Sequence, residues 1–390
     1  MKLNSELRTW NSELKIGLLT SDLSHKHGWA HYSLSLIEAL QRQGVDLTVI
    51  ATKDSPDVSG LKVHKVLPVG RNMLLRQLLL LPKVRQLLRD CDVIHAAIEP
   101  FAPLASWVAG DRPLFITGHG TYVQSWAERP WPVRTIYRRA FLRSQLVCVS
   151  HYTERVAQRI LPTVDTLVIK NGVNSERYQG VYAARIAKTR ADQNHTPTVL
   201  AVGAVKARKG TLELVMAIAD VRRELPDVRC VIIGNLEAEP AYTKQVQEAI
   251  QQLHLQDCVQ LLGRLSDADL NSWYEQADVF ALPAKNVGNK FEGFGLVYLE
   301  ASAAGLPVIG TTDCGAEDAI DDGVTGLLVK QEQVTEQLPQ AILRILRDPV
   351  LAARMGAAGH EKAARQTWDH VAGQMLALYN NGQRVRDDRK

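Results

Sequence analysis

The feature that most constrains this chain is a repeating alternation of short, near-continuous apolar runs with amphipathic stretches. Residues 15–20, 46–51, 92–97, 114–117 and 146–150 read as strands, and 32–43, ended by Gly44, reads as a helix. Strands that are apolar on both sides imply a parallel sheet with helices covering each face. Residues 181–197 (VYAARIAKTRADQNHTP) break the pattern with a polar, proline-ended stretch, which reads as a linker. The alternation then restarts with expected strands at 198–202, 228–233, 259–262, 279–282 and 307–310. A chain of 390 residues exceeds one ordinary core. The pattern therefore predicts an α/β protein of two doubly wound, Rossmann-like domains. Ligands of such sheets sit at the C-terminal ends of strands, and a cleft is expected between two such domains.

Composition narrows the class. Hydrophobic residues make up 46% and charged residues 23%, ordinary values for a globular protein. No apolar run reaches the roughly 20 residues that span a bilayer, and the polar N-terminal stretch shows no signal-peptide core. The five cysteines are odd in number and scattered through apolar runs, as reduced thiols of a cytoplasmic protein would be. Net charge is +4, but residues 1–180 hold 23 Lys+Arg against 15 Asp+Glu, leaving 23 against 27 in the rest. Either the first half meets something anionic or the asymmetry is chance. The modest charge and lack of a recognition motif argue against nucleic acid as a partner.

Four motifs follow expected strands. Residues 203–211 (GAVKARKGT) place Arg208 and Lys209 where a helix begins. Cations, free N–H groups and the helix dipole converge there as they do around phosphate. The spacing does not fit a P-loop, and the bland alternative is a solvated basic turn. Residues 291–301 (FEGFGLVYLEA) carry Glu292 and Glu300 around a Gly-Phe-Gly turn. Gly293 and Gly295 permit close backbone approach, and the amides of Phe294, Gly295, Leu296 and Val297 lie where a second helix starts, favourable to an anion. Glu300, one turn further, suits vicinal hydroxyls; its alternative is a surface helix residue. His119, in GHGTY, ends the strand 114–117 and is either functional or packed. Gly28, in SHKHGWAHY, opens the first helix beside His25, His27 and His31. Those histidines lack a fourth ligand at zinc spacing, and Asp90–Asp92 precedes a strand rather than following one. No metal site is expected.

Taken together, these residues resemble glycosyltransferase family 4, retaining sugar transferases of GT-B fold. The resemblance spans nearly the whole chain through VSHYTERVAQ (149–158), VIKNGVNSERY (168–178), AVGAVKARKG, LLGRLSDADLNSWYEQADVFALPA (261–284) and the spaced glutamates Glu292 and Glu300. It implies an acceptor-side domain over 1–184, a linker at 185–197, a nucleotide-sugar domain over 198–366, and a helix and tail, 367–390, crossing back to the first domain. By resemblance, Lys209 and Arg208 neutralise the donor diphosphate, the amides of Phe294 to Val297 hold its other side, and Glu300 takes the ribose. The backbone at Arg264 and Leu265 meets the base, Gly28 lets a first-domain loop approach the diphosphate, and His119 and Glu292 face the transferred sugar. The sequence departs from the family at Gly203-Ala204-Val205, where Gly-Arg-Leu is common; either Arg208 or Lys206 then carries that charge, or the phosphate charge is less fully balanced.

The implied reaction moves a hexose from a nucleotide-diphosphate sugar to a sugar, polyol or lipid-linked acceptor, without a cofactor and with retained configuration. Glu292 would act as nucleophile or as an orienting group, with orientation favoured. The alternatives are a GT-B nucleotide-sugar epimerase and a non-catalytic sugar-binding homologue. The leucine-rich basic run 71–90 and the run 126–143, with five arginines among Trp126, Trp131 and Tyr137, would suit an anionic membrane surface. That reading adds peripheral association at the inner face of the membrane; its alternative is a helix packed on the sheet.

Overall fold

A computed structural model describes residues 14–24, 27–70, 73–187 and 195–387. His25 and Arg71 lie outside them, as do residues 188–194 of the expected linker. The chain divides into two compact units, Met1–Cys148 with Val156–Ile169 and Trp368–Lys390, and Val149–Arg155 with Lys170–Thr367.

The first unit is built on seven parallel strands: β1 (Lys15–Leu19), β2 (Asp46–Thr52), β3 (Val63–Leu67), β4 (Val93–Ala96), β5 (Leu114–Gly118), β6 (Gln145–Cys148) and β7 (Asp165–Val168). Their order is β3-β2-β1-β4-β5-β6-β7. Central strands β1, β4 and β5 are almost wholly buried, as their unbroken apolar sequence requires. Leu114 and Ile116 face a core shared with helices Met73–Leu87, Ala102–Ala109 and Trp131–Arg143. Phe115 points to the opposite face and meets Tyr379 of the last helix, Trp368–Asp387, at 5.2 Å between ring centres. That helix also packs on the first helix, Gly28–Arg42, through Tyr32 and Trp368. The last helix is therefore part of the first unit, as the resemblance implied.

The second unit repeats the plan with β8 (Thr198–Val202), β9 (Arg229–Ile233), β10 (Val259–Leu262), β11 (Val279–Ala281), β12 (Val308–Thr311) and β13 (Gly326–Val329). All pair in parallel, in the order β10-β9-β8-β11-β12-β13. In each sheet the order reverses beside the first strand, between β1 and β4 and between β8 and β11. Connections diverge at those points and leave a crevice at the strands' C-terminal ends.

The structure adds three strands to those expected from the apolar runs. β3, β7 and β13 are all edge strands, and in β3 and β7 most positions are partly exposed. Lacking full cover, β3 and β7 need no continuous apolar run. The polar break does not separate the units, because 170–187 belong to the second unit. Helix Gln179–Ala187 is tied there by Arg185, which donates to the carbonyls of Tyr274, Glu275 and Ala277. Tyr178 stacks edge-on to Tyr274. The chain passes between units at four points instead, after Cys148, Arg155, Ile169 and Thr367. All five cysteines are buried and none is in a disulfide. Among the described residues no helix is long and apolar enough to cross a membrane.

Candidate active site

In the second unit, the segment leaving β8 forms a single 3-10 turn, Ala207–Lys209, before the helix Thr211–Glu224. Gly210 joins them in the left-handed conformation at φ +67°, and a Cβ there would lie 1.9 Å from the carbonyl oxygen of Pro283. Only glycine lets the turn press against the end of β11. The turn consequently carries Arg208 and Lys209 to the β8/β11 crevice.

Glu292 reaches them from the segment after β11. One carboxylate oxygen, Oε2, lies 2.7 Å from Arg208 Nη1 and 2.6 Å from Lys209 Nζ. Both Glu292 and Lys209 are buried. Burial alone would raise the Glu292 carboxyl, but Lys209 and Arg208 outweigh it and hold it at about 2. Burial and the neighbouring guanidinium pull Lys209 below the usual lysine range, while Glu292 supports its charge. The carboxylate thus neutralises part of a cationic pair that sits where a ligand of an open α/β sheet is bound.

The turn after Glu292 is equally constrained. Gly295, at φ +82°, precedes the helix Leu296–Ala303, and a Cβ on it would meet the Tyr298 ring at 2.5 Å. Gly315 donates its N–H to the Glu292 carbonyl at 2.7 Å. Phe294 is buried, and Leu296 and Val297 are half-buried at the first helical turn. Of the four expected amides, those of Leu296 and Val297 lie in the helix, Gly295 caps it and Phe294 precedes it. Glu300 is half-buried, and the buried Tyr274 hydroxyl donates to its Oε2 at 3.4 Å. Burial and then Glu300 push the Tyr274 hydroxyl well above the ordinary phenol range, so Tyr274 remains a donor. Arg177 lies near the same carboxylate and pairs with Asp267 at 2.9 Å. Arg264 is exposed and Leu265 half-buried just beyond β10.

The first unit has its own polar cluster around the β1/β4 reversal. Glu99, after β4, is buried and accepts the His119 backbone N–H at 2.6 Å on Oε1. His119, after β5, places Nε2 2.7 Å from the Ala97 carbonyl and packs edge-on to Tyr32 at 4.5 Å. Burial lowers the imidazole to about 4. Beneath it, Tyr32 and His95 both bond Thr117, at 3.2 and 2.8 Å, and Tyr379 bonds the other His95 nitrogen at 2.7 Å. Gly28 begins the first helix, in open space. His27 caps that helix through Nδ1 and pairs with Asp22 at 2.7 Å.

Neither Glu99 nor Tyr274 was singled out from the sequence. Glu99 is the one charged residue in an apolar run between a strand and a proline, and that oddity was the available signal.

Comparison with known proteins agrees with both units. A family model described as Glycosyltransferase Family 4 matches residues 27–177, and one described as Glycosyl transferases group 1 matches 185–362. The GDP-mannose-dependent alpha-(1-6)-phosphatidylinositol monomannoside mannosyltransferase of Mycobacterium tuberculosis (strain ATCC 25618 / H37Rv) is 31% identical over 304 residues, 75% of this chain and 77% of that protein. The phosphatidyl-myo-inositol mannosyltransferase of Mycobacterium leprae is 30% identical over 377 residues, 90% of this chain and 92% of that protein. Among solved structures, sucrose-phosphate synthase from Thermosynechococcus elongatus superposes with TM-score 0.73 at 25% identity, covering 94% of this chain and 98% of that one.

Proposed function

Since the chain belongs to glycosyltransferase family 4, we propose that it transfers mannose from GDP-mannose, with retained configuration, to a lipid-borne acceptor. That it is a glycosyltransferase using a nucleotide-sugar follows from the family. The sugar, the base and the acceptor are our reading, supported by two relatives whose names specify mannosyl transfer to phosphatidylinositol lipids.

The observation that carries the reading is the Arg208–Lys209–Glu292 cluster in the β8/β11 crevice. Cleaving the anomeric bond leaves an oxocarbenium-like sugar and a nucleotide diphosphate that gains negative charge. Fixed cations near that charge stabilise the transition state more than the ground state. In this reading Arg208 and Lys209 meet the diphosphate together with the amides of Leu296 and Val297. Glu300, held by Tyr274, takes the ribose hydroxyls; the backbone at Arg264 and Leu265 takes the base. Gly28 offers an open backbone for close approach in the first unit. Glu292 serves as an orienting and electrostatic group. A carboxylate held at about 2 by two cations is a weak base, unsuited to accepting a proton at neutral pH.

A thermal-shift panel of GDP, UDP and ADP tests the donor. A nucleotide at 100 times its dissociation constant adds about 2.7 kcal/mol of stability. GDP is expected to stabilise most; stabilisation by UDP or ADP alone would overturn the GDP assignment. Product analysis with and without a phosphatidylinositol lipid then separates transfer from epimerisation or simple binding.

A surface feature favours a lipid-borne acceptor. On the helix Met73–Leu87, Leu75, Leu78 and Leu79 are 61%, 51% and 73% exposed, beside exposed Arg76 and Lys83. Trp131 is 71% exposed at the start of an arginine-rich helix. Apolar side chains among cations suit an anionic lipid surface. Co-sedimentation with anionic but not neutral vesicles is expected, and equal negligible binding to both would remove the membrane from the proposal.

A further inference from the structure

The geometry points to Glu99 as a positioning residue: its carboxyl fixes the His119–Gly120 backbone so that His119 offers Nδ1 as a hydrogen-bond acceptor to a substrate hydroxyl. This rests on the reading of the chain as a sugar transferase with His119 at its working end.

The argument begins with the proton on His119. A carbonyl oxygen only accepts, so Nε2, 2.7 Å from the Ala97 carbonyl, must carry the hydrogen. Burial keeps the ring neutral, with its basicity lowered to about 4, and a neutral ring with Nε2–H has its lone pair on Nδ1. No other described residue bonds Nδ1. His119 is therefore an acceptor at that atom rather than an acid, and sugars are rich in the complementary donor.

What holds the ring in this pose is the backbone beneath it. The His119 N–H donates to Glu99 Oε1 at 2.6 Å, and the Gly120 N–H also faces that carboxyl. Gly120 adopts φ +142° and ψ −116°, a conformation essentially confined to glycine. Glycine reaches that conformation without strain but has many others open to it, and the bond to Glu99 selects this one. Glu99 itself is only 1% exposed, and its Oε2 has no hydrogen-bond partner among the described residues. Burial raises the carboxyl to about 7, against the pull of the amides. Its charge is felt by the phenol of Tyr137.

Three variants test the assignment: Glu99→Gln, which keeps an acceptor for the His119 N–H, Glu99→Ala, which removes it, and His119→Ala, which identifies the resonance. Nitrogen-15 spectra of ring-labelled histidine in the ligand-free protein report the tautomer directly. The wild type and Glu99→Gln are expected to show a pH-independent Nε2–H pattern for His119 from pH 5 to 8. Glu99→Ala is expected to average the two tautomers. With GDP-mannose, kcat is expected to fall about 10–100-fold in Glu99→Ala while the donor KM moves less than about threefold, the signature of misplacement rather than lost binding. Glu99→Gln is expected to restore kcat to within about threefold. A fixed Nε2–H tautomer with unchanged kcat in Glu99→Ala would overturn the proposal. So would a Glu99→Gln variant that loses the tautomer, and this arm remains decisive if Glu99→Ala does not fold. Because the tautomer is read without any donor, failure of GDP-mannose as substrate would sink the donor reading and leave this one to be judged on the spectra.

Discussion

Two buried carboxylates with opposite perturbations define the chemistry at the scale of single residues. Glu292 is held at about 2, below its unfolded value, by Lys209 and Arg208. Its contribution to stability is complete above roughly pH 4.5 and is lost as pH falls through about 2. Glu99 is raised to about 7 by burial; it favours the folded state below its unfolded value, and that advantage is lost as pH rises through 7. Glu292→Gln is accordingly expected to flatten the acid limb of a melting-temperature profile, and Glu99→Gln to gain on the wild type above pH 7. Profiles parallel to the wild type would contradict both assignments. Lys209→Ala removes the closer of two cations from Glu292 and from the proposed diphosphate position. We expect kcat/KM to drop about 10²–10³-fold, measured with GDP-mannose; near-wild-type turnover would take Lys209 out of the site. The sequence exposed Arg208, Lys209 and Glu292 because charged residues beside glycines after apolar runs are conspicuous, and Glu300 because it is a lone charge inside an apolar helical run. It did not show that the first three form one ion cluster, since they are 84 residues apart in the case of Arg208 and Glu292 and only the β8/β11 adjacency joins them.

At the scale of elements, the turn between β8 and the helix Thr211–Glu224 is the part least able to change. Gly210→Ala combines a left-handed backbone with a Cβ 1.9 Å from the Pro283 carbonyl. A loss of about 2–4 kcal/mol is expected, with weakened nucleotide stabilisation as Arg208 and Lys209 shift; denaturant titration with and without GDP measures both. Tyr379→Phe removes one hydroxyl from the chain Tyr379–His95–Thr117–Tyr32 and leaves a buried imidazole nitrogen unmatched. The expected cost is about 1–3 kcal/mol, read from urea midpoints at unchanged slope. The central strands were legible because burial on both faces demands continuous apolar sequence. The edge strands β3 and β7 were not, because most of their positions are partly exposed and free of that demand; β13, short but buried, has no such reason. The polar break at 181–197 misled for a related reason: Arg185 inside it reads as solvated, yet its guanidinium caps three carbonyls at the end of the helix Asp267–Gln276.

The whole molecule is two units that sequence order does not separate. Residues Trp368, Val371, Ala372, Met375, Leu376 and Tyr379 are buried in the last helix, which belongs to the first unit. Fully burying a large apolar side chain such as Leu376 or Met375 contributes about 1.5–3 kcal/mol before the entropy of ordering it is subtracted, so losing the helix removes a large part of that unit's gross stabilisation. A chain ending at Thr367 is expected to lose the cooperative unfolding of its first unit in calorimetry. Two transitions of unchanged size would refute the assignment of that helix.

The five buried thiols have a practical consequence. Cys91 and Cys148 lie in the first unit and Cys230, Cys258 and Cys314 in the second, and a buried thiol reacts with an alkylating reagent only when its surroundings open. Each unit thus carries its own chemical clock, readable peptide by peptide in a mass spectrometer. A nucleotide seated near Glu292, whose charge Cys314 already senses, should slow the second clock and leave the first running.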